Sequence, residues 1–249
     1  MRGFLGWDVG AWHCQGGASR DALVMLTDDG GSLRSVGKPW RGNLRAVYNK
    51  GSGSALLVEL LRLVDAEGYR WREITLAIDA PLGWPTGFRQ LLDGAHPDMI
   101  PEQKGHNPLL MRETERWLYA HGHRPLSAVQ DLIGSQSTKG MAFISALGLC
   151  VTRPGIWATR LGETRVTAIE AYPSPCKHSQ SIRTARTALE SALPSTANPD
   201  LQDAQTCAIL GALFTLYPEL LANPIATIDA REGWIWVPGD CLTEKESAE

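Results

Sequence analysis

The chain has no pair of cysteines at CxxC spacing. Its cysteines (Cys14, Cys150, Cys176, Cys207 and Cys241) are odd in number and far apart. That argues against a zinc site or a disulfide framework and for a reduced, cytoplasmic setting. Charge of one sign is also missing. The net charge is -3, so no global field draws nucleic acid or an anionic membrane, and any polyanion contact must come from a local patch. No apolar run approaches the roughly 20 residues that span a bilayer, so no membrane association is expected. The opening MRGFLGWDVG carries Asp8 too early for the apolar core of a signal peptide. No repeat at a period of about 20–50 residues is visible. What remains is a 249-residue chain of 43% hydrophobic content, enough to bury a sizeable core as one domain over residues 1–249.

Apolar patterning sets out the elements. GFLGWDVG (residues 3–10) reads as a strand followed by a turn, and DALVMLTDDGGSLRSVGKPW as two strands joined at the Gly-containing DDGG. SALLVELLRLVDAEG (54–68) is a helix with Leu56, Leu57, Leu60, Leu61 and Val64 on one stripe and Gly68 as its stop. ITLAIDAPLG has apolar residues facing both ways, as in a central strand covered on both sides. Residues 84–164 break the pattern. They are rich in His, Pro, Trp and Arg, with helices expected over 109–120 and 141–149, and form a helical insertion that carries specificity. RVTAIEAYPSP (165–175) resumes as a strand, and RTARTALESAL (183–193) is helical. NPDLQDAQTCAILGALFTLYPE (198–219) is a helix capped by Asn198 with Pro199 in first position. EGWIWVPG (232–239) is a strand, and 243–249 is a flexible tail. This order implies an α/β fold, a mixed sheet with helices on both faces.

Acids sit where strands should end. Asp8 closes the first strand, Asp79 ends the fourth just before Ala80-Pro81, and Glu170 lies inside VTAIEAY. Ligands of open sheets bind at the carboxyl ends of central strands. Asp200 and Asp203 are three apart on a helix that is otherwise apolar almost all round, so its acidic first turn should face those strand ends. Carboxylates gathered there must either hold protons or bind a cation. An all-oxygen donor set suits Mg2+ or Mn2+, the ions of phosphodiester hydrolysis. Taken singly, each acid has a plainer role. Asp8 and Asp79 suit turns, and Asp200 offsets a helix dipole. Glu170 is harder to set aside, because a carboxylate inside a central strand is costly.

The blocks GWDVG, IDAPLGWP…FR, RETERWL, PLSAVQDLIGSQSTKG, IEAYPS, DLQDAQTCA and EGWIWVP occur in this order over nearly the whole chain. Together they resemble the family designated domain of unknown function 429, whose members are predicted nucleases with a ribonuclease H-like fold. The resemblance implies a five-stranded mixed sheet: three antiparallel strands, a helix, then two strands parallel to the first. It also implies metal-binding acids on the first and fourth strands and on a late helix. Here those are Asp8, Asp79 and Asp203, with Glu170 and Asp200 as further candidates. Enzymes of this superfamily often add a Glu from the first helix, which here would be Glu59. If Glu59 does not reach the site, Glu170 takes its place.

Within and beside the insertion, Arg89, Arg112, Arg116, Arg124 and Lys139 stand among Trp84, Phe88, Trp117 and Tyr119. Cations beside stacking aromatics suit a single strand of nucleic acid. Arg89, Arg112 and Lys139 are the candidate phosphate ligands; the alternative for Arg112 and Arg116 is pairing with Glu113, Glu115 or nearby acids on a solvated helix. His13, just after DVGAW, is a candidate proton shuttle. His121 and His123 fit a surface turn better than a metal site. The expectation is a metal-dependent nuclease with Asp8, Asp79, Glu170 and Asp203 as catalytic acids. Two alternatives stand beside it: an ATPase or phosphotransferase related to actin-like and sugar kinases, whose first phosphate loop DVG resembles, and a non-catalytic metal-binding module.

Overall fold

The structure, a computed structural model, describes residues 1–14, 20–30, 32–96, 100–190 and 198–242. In chain order its elements are β1 (Arg2–Asp8), β2 (Asp21–Asp29), β3 (Ser32–Ser35), β4 (Trp40–Gly42), α1 (Arg45–Tyr48), α2 (Gly53–Leu63), β5 (Glu73–Asp79), α3 (Thr86–Leu92), α4 (Glu113–Ala120), α5 (Gly134–Ala146), β6 (Cys150–Arg153), β7 (Ile156–Leu161), β8 (Thr164–Ala171), α6 (Pro173–Cys176), α7 (Gln180–Glu190), α8 (Pro199–Leu216) and β9 (Ile235–Trp236). The strands form one mixed sheet in the order β3-β2-β1-β5-β8-β7-β6, with β4 paired to β2 and β9 to β8. β1, β5 and β8 are parallel at its centre, and β2 runs antiparallel to β1. Among the described residues no helix is long and apolar enough to cross a membrane.

Alternation along each central strand feeds two cores. Leu5 and Trp7 of β1 pack with Leu76 and Ile78 of β5 and with the leucine stripe of α2, together with Phe143 and Ile144 of α5. Phe4 of β1 points the other way, with Ala77 and Ile169, onto Ala204, Cys207, Ala208 and Ile209 of α8. Helices therefore cover both faces. Each fully buried leucine of α2 (Leu56, Leu60) contributes on the order of 1.5–3 kcal/mol.

α8 starts where its signals lie. Pro199 is its first residue, and the Asn198 side chain accepts the Leu201 amide at 3.3 Å. α2 stops five residues short of Gly68. Asp65 takes a left-handed φ of 54°, and Ala66 donates back to the Leu61 carbonyl at 2.8 Å while its side chain is fully buried. A core contact thus overrides the glycine signal.

Residues 84–164 are not purely helical, because β6 and β7 form a hairpin through Gly155 (φ 70°) that widens the sheet beyond five strands. α5 begins seven residues before Met141. Ser137 and Thr138 bond back to the Ile133 and Gly134 carbonyls, and Gly140 lets the helix approach Leu82, which a Cβ would meet at 2.9 Å. α4 starts at Glu113 rather than 109, after a turn in which the Asn107 side chain accepts the Leu109 amide. The strand expected over 232–239 is reduced to Ile235–Trp236. Residues 191–193 of the expected 183–193 helix, Gly31 of the DDGG turn and the tail 243–249 lie outside the described residues.

Candidate functional site

Asp8 and Asp79 are the last residues of β1 and β5 and are register partners across that parallel pair. Adjacent strands lie about 4.8 Å apart, so the two carboxyl groups emerge side by side. They open into a cavity of about 240 Å3 whose wall includes Glu170, Tyr172, Gln136 and Leu126. The Oε1 atom of Gln136 is buried there without a hydrogen-bond partner among the described residues. α8 packs on one face of the sheet, against Phe4, Ala77 and Ile169. It lies so near β1 that a Cβ on Gly6 would come within 2.0 Å of the Ala204 carbonyl oxygen. This contact is why residue 6 must be glycine, and it brings Asp203, the residue before Ala204, to the ends of the strands.

The electrostatics follow from this crowding. Burial pushes the Asp8 carboxyl up to about 9, aided by the charges of Asp79, Asp200, Asp203 and Asp21. Asp79 is pushed up to about 8, first by burial and then by Asp203 and Glu170. Asp203 is raised by burial too, against the pull of Lys177 and Arg186. Among the described residues no donor reaches the carboxyl oxygens of Asp8, Asp79 or Asp203. Asp8 therefore feels the charges of Asp79, Asp200 and Asp203, and Asp79 those of Asp203 and Glu170, while of these aspartates only Asp8 and Asp79 line the cavity.

Two of the expected acids are already engaged by protein partners. Glu170 is 2% exposed, and its oxygens receive Nη2 and Nη1 of Arg112 at 2.6 and 2.7 Å and the Leu82 amide at 2.9 Å. It is a counter-ion in the wall of the cavity, with three of its four lone-pair sites taken by protein donors and its charge met by Arg112. This corrects its expected catalytic and metal-binding role. Asp200 accepts Nε and Nη2 of Arg41, both at 2.7 Å, which ties α8 to β4. It shapes the local charge but is not a bare ligand.

The cations expected to hold phosphate are corrected as well. Arg112 is fully buried. Besides Glu170 it binds Glu115 Oε1 at 2.9 Å and the Glu232 carbonyl at 3.0 Å. Lys139 is fully buried, and its Nζ makes three bonds: to Asp21 Oδ2 at 2.6 Å and to the Gly10 and Ala11 carbonyls at 3.0 Å each. An ammonium has three protons, so none is left for a ligand. Arg89 pairs with Asp229 at 2.6 Å, away from the acidic cavity. Arg116 pairs with Glu113 on α4. His13 is exposed in the turn after β1. Glu59 is held by Lys50 and Arg62, whose bonds keep its carboxyl low, and it is not among the charges acting on Asp8 or Asp79.

Two acids, Asp21 and Glu232, were missed in the sequence, and a third, Glu115, was named there only as an alternative partner for Arg112 or Arg116. Asp21 accepts Trp7 Nε1, the Gly10 and Leu44 amides and Lys139 Nζ, and so holds the loop behind Asp8. Glu115 completes the cage of Arg112. Glu232 accepts the Thr86 and Glu113 amides, at the first residues of α3 and α4. Only Glu115 left a signal, its i,i+3 spacing from Arg112.

A larger cavity, about 600 Å3, lies beyond the Arg112 network against α3 and α4. Its Glu113, Asp229 and Glu232 are already paired or serve helix ends. Volume therefore does not outweigh the unpaired acids of the smaller one.

Among the described residues no group of three or more His, Cys, Asp or Glu side chains is arranged to hold a metal ion. Two adjacent carboxylates without protein donors do suit the sparse mode of Mg2+, which keeps several waters and uses one or two carboxylates beside substrate phosphate. Comparison of the chain with protein-family models, with curated proteins and with solved structures returns no match in any of the three.

Proposed function

We propose that this chain is a divalent-metal-dependent phosphodiesterase acting on nucleic acid, with Asp8 and Asp79 as the metal-holding pair. One contrast carries the reading. Four buried acids nearby (Asp21, Glu115, Glu170 and Glu232) each have hydrogen-bond donors from the protein. Asp8 and Asp79, at the strand ends where ligands bind, have none among the described residues. A fold that satisfies four acids and leaves two adjacent ones bare keeps them for something else. The strand order β3-β2-β1-β5-β8, with β1, β5 and β8 parallel, agrees with the ribonuclease H-like arrangement implied by the sequence resemblance and supports the same reading.

Mg2+ or Mn2+ bound there would neutralise the pair and make a coordinated water more acidic. Asp203, whose charge acts on both Asp8 and Asp79 and whose proton affinity burial raises, is the candidate to take a proton from the attacking water. Lys139 and Asp21 hold the Gly10–Ala11 backbone and so fix the direction in which Asp8 leaves its strand. Leu126, 54% exposed on the cavity wall, offers apolar surface to a base.

The test is cleavage of labelled single- and double-stranded DNA and RNA with Mn2+ or Mg2+. Wild type should cut at least one substrate, stop on chelation, and lose activity in Asp8→Asn and Asp79→Asn. Absence of cutting across the panel, or equal cutting by the variants, removes the assignment.

A further inference from the structure

The opposite end of the sheet carries the reverse charge. At the amino ends of β1, β5 and β8 lies a depression of about 480 Å3 lined by Arg2, Arg72, Arg160 and Arg165, with Asp28 and Glu73. Strand register explains the assembly. Arg2 partners Glu73, Glu73 partners Arg165, and Arg165 partners Arg160. Register partners project from the same face, so a row of long charged side chains crosses β1, β5, β8 and β7 at one level.

The acids do not balance this row. Arg2 lies 3.8 Å from Asp28 and 3.7 Å from Glu73, so both carboxylates already share one guanidinium. Among the described residues, the side chains of Arg72 and Arg165 have no hydrogen-bond or ion-pair partner, and that of Arg160 donates only to the Glu163 carbonyl at 3.4 Å. Arg160 and Arg165 are moreover directly opposite each other, and like charges in that relation weaken a sheet. A chain of net charge -3 with 27 acids could have neutralised the row, yet three exposed arginines converge on one concavity without carboxylates of their own. Six residue steps along β1 separate Arg2 from Asp8, about 20 Å at strand rise, so this is not the acidic cavity.

We propose that this depression binds a phosphate-bearing anion, with Arg72, Arg160 and Arg165 taking its phosphoryl oxygens. Guanidinium groups donate in planar pairs that match phosphate oxygens, and several converging on one hollow favour a multiply charged group over a single carboxylate. The phosphates belong either to a free oligophosphate or to a nucleic-acid backbone crossing this edge. The proposal stands independently of the Asp8–Asp79 reading.

Titration calorimetry of the full chain with tripolyphosphate, and separately with a single-stranded oligonucleotide of about a dozen nucleotides in chelator, tests it. Wild type should give saturable heat with at least one probe. Arg72→Gln/Arg165→Gln should weaken that binding at least ~10-fold, since two charge-assisted contacts are lost, while Asp8→Asn should leave it in place. Tripolyphosphate binding alone identifies a free phosphate ligand, and oligonucleotide binding that the double variant abolishes identifies the backbone. Without ligand the double variant should melt at the same temperature as wild type or higher, because repulsion is relieved. No saturable heat with either probe, or unchanged affinity in the double variant, overturns the proposal, as does a double variant that melts well below wild type, which would mark the arginines as structural.

Discussion

Replacing Asp8 with asparagine should stabilise the metal-free protein at neutral pH. The Asp8 carboxyl is raised from 3.8 to about 9 by burial and by four neighbouring acids. By pH 7 the unfolded chain has released this proton and the folded chain still holds it. The folded state then binds more protons than the unfolded one, so stability falls as the pH climbs from about 4 to about 9. Keeping the proton at pH 7 costs at most roughly 4 kcal/mol, at about 1.4 kcal/mol for each pH unit above 3.8. Water at the cavity mouth and shared titration with Asp79 reduce this to ~1–2 kcal/mol. Asparagine has nearly the same shape and no charge to suppress. In a chain of this size 1 kcal/mol moves Tm by roughly 2–4 °C, so a rise of about 2–8 °C is expected at pH 7–8, vanishing near pH 4. Scanning calorimetry in chelator from pH 4 to 9 measures it. A variant that melts below wild type at pH 8, or a difference that does not depend on pH, refutes the picture of a bare, crowded carboxylate.

Saturating Mg2+ should reverse that comparison. Wild type should gain up to about 2.7 kcal/mol at one hundred times Kd, with little gain in Asp8→Asn, as read by Tm against Mg2+ concentration. Arg112→Met strands Glu115 and Glu170 in the interior and should cost ~3–5 kcal/mol, a drop of roughly 6–20 °C that is larger at pH 8 than at pH 5; calorimetry at the two pH values checks it. Gly6→Ala drives a methyl into the α8 backbone and should cost ~2–3 kcal/mol, with a larger proportional loss of hydrolysis because Asp203 moves with that helix. Parallel melting and cleavage assays separate the two effects.

Several features were legible in the sequence because their causes are local. The alternation in GFLGWD and ITLAID is what a strand buried on both faces requires, and it places Asp8 and Asp79 at strand ends. The leucine stripe of α2 and the Asn198-Pro199 start of α8 act within one helix, and both helices form. The hairpin of β6 and β7 was hidden because its β6 residues are all exposed and lack alternation. α5 was hidden at its start because Gly and Ser signal a loop unless a neighbour needs their smallness, as Leu82 does.

Which charges remain bare was decided by the tertiary structure alone. Glu170 and Arg112 lie 58 residues apart, Lys139 and Asp21 118, and Asp200 and Arg41 159. The sequence marked Glu170, Arg112, Lys139 and Asp200 as site candidates but neither Asp21 nor Arg41, because neutralisation acts over a few ångströms between atoms, and spacing along a chain carries no such distance. Periodicity determined which residues would be buried and which acids would end strands. Only the packing of α4, α5 and α8 against the sheet determined that Arg112 would quench Glu170, that Lys139 would quench Asp21, and that Asp8 and Asp79 would stand side by side with no counter-charge among the described residues.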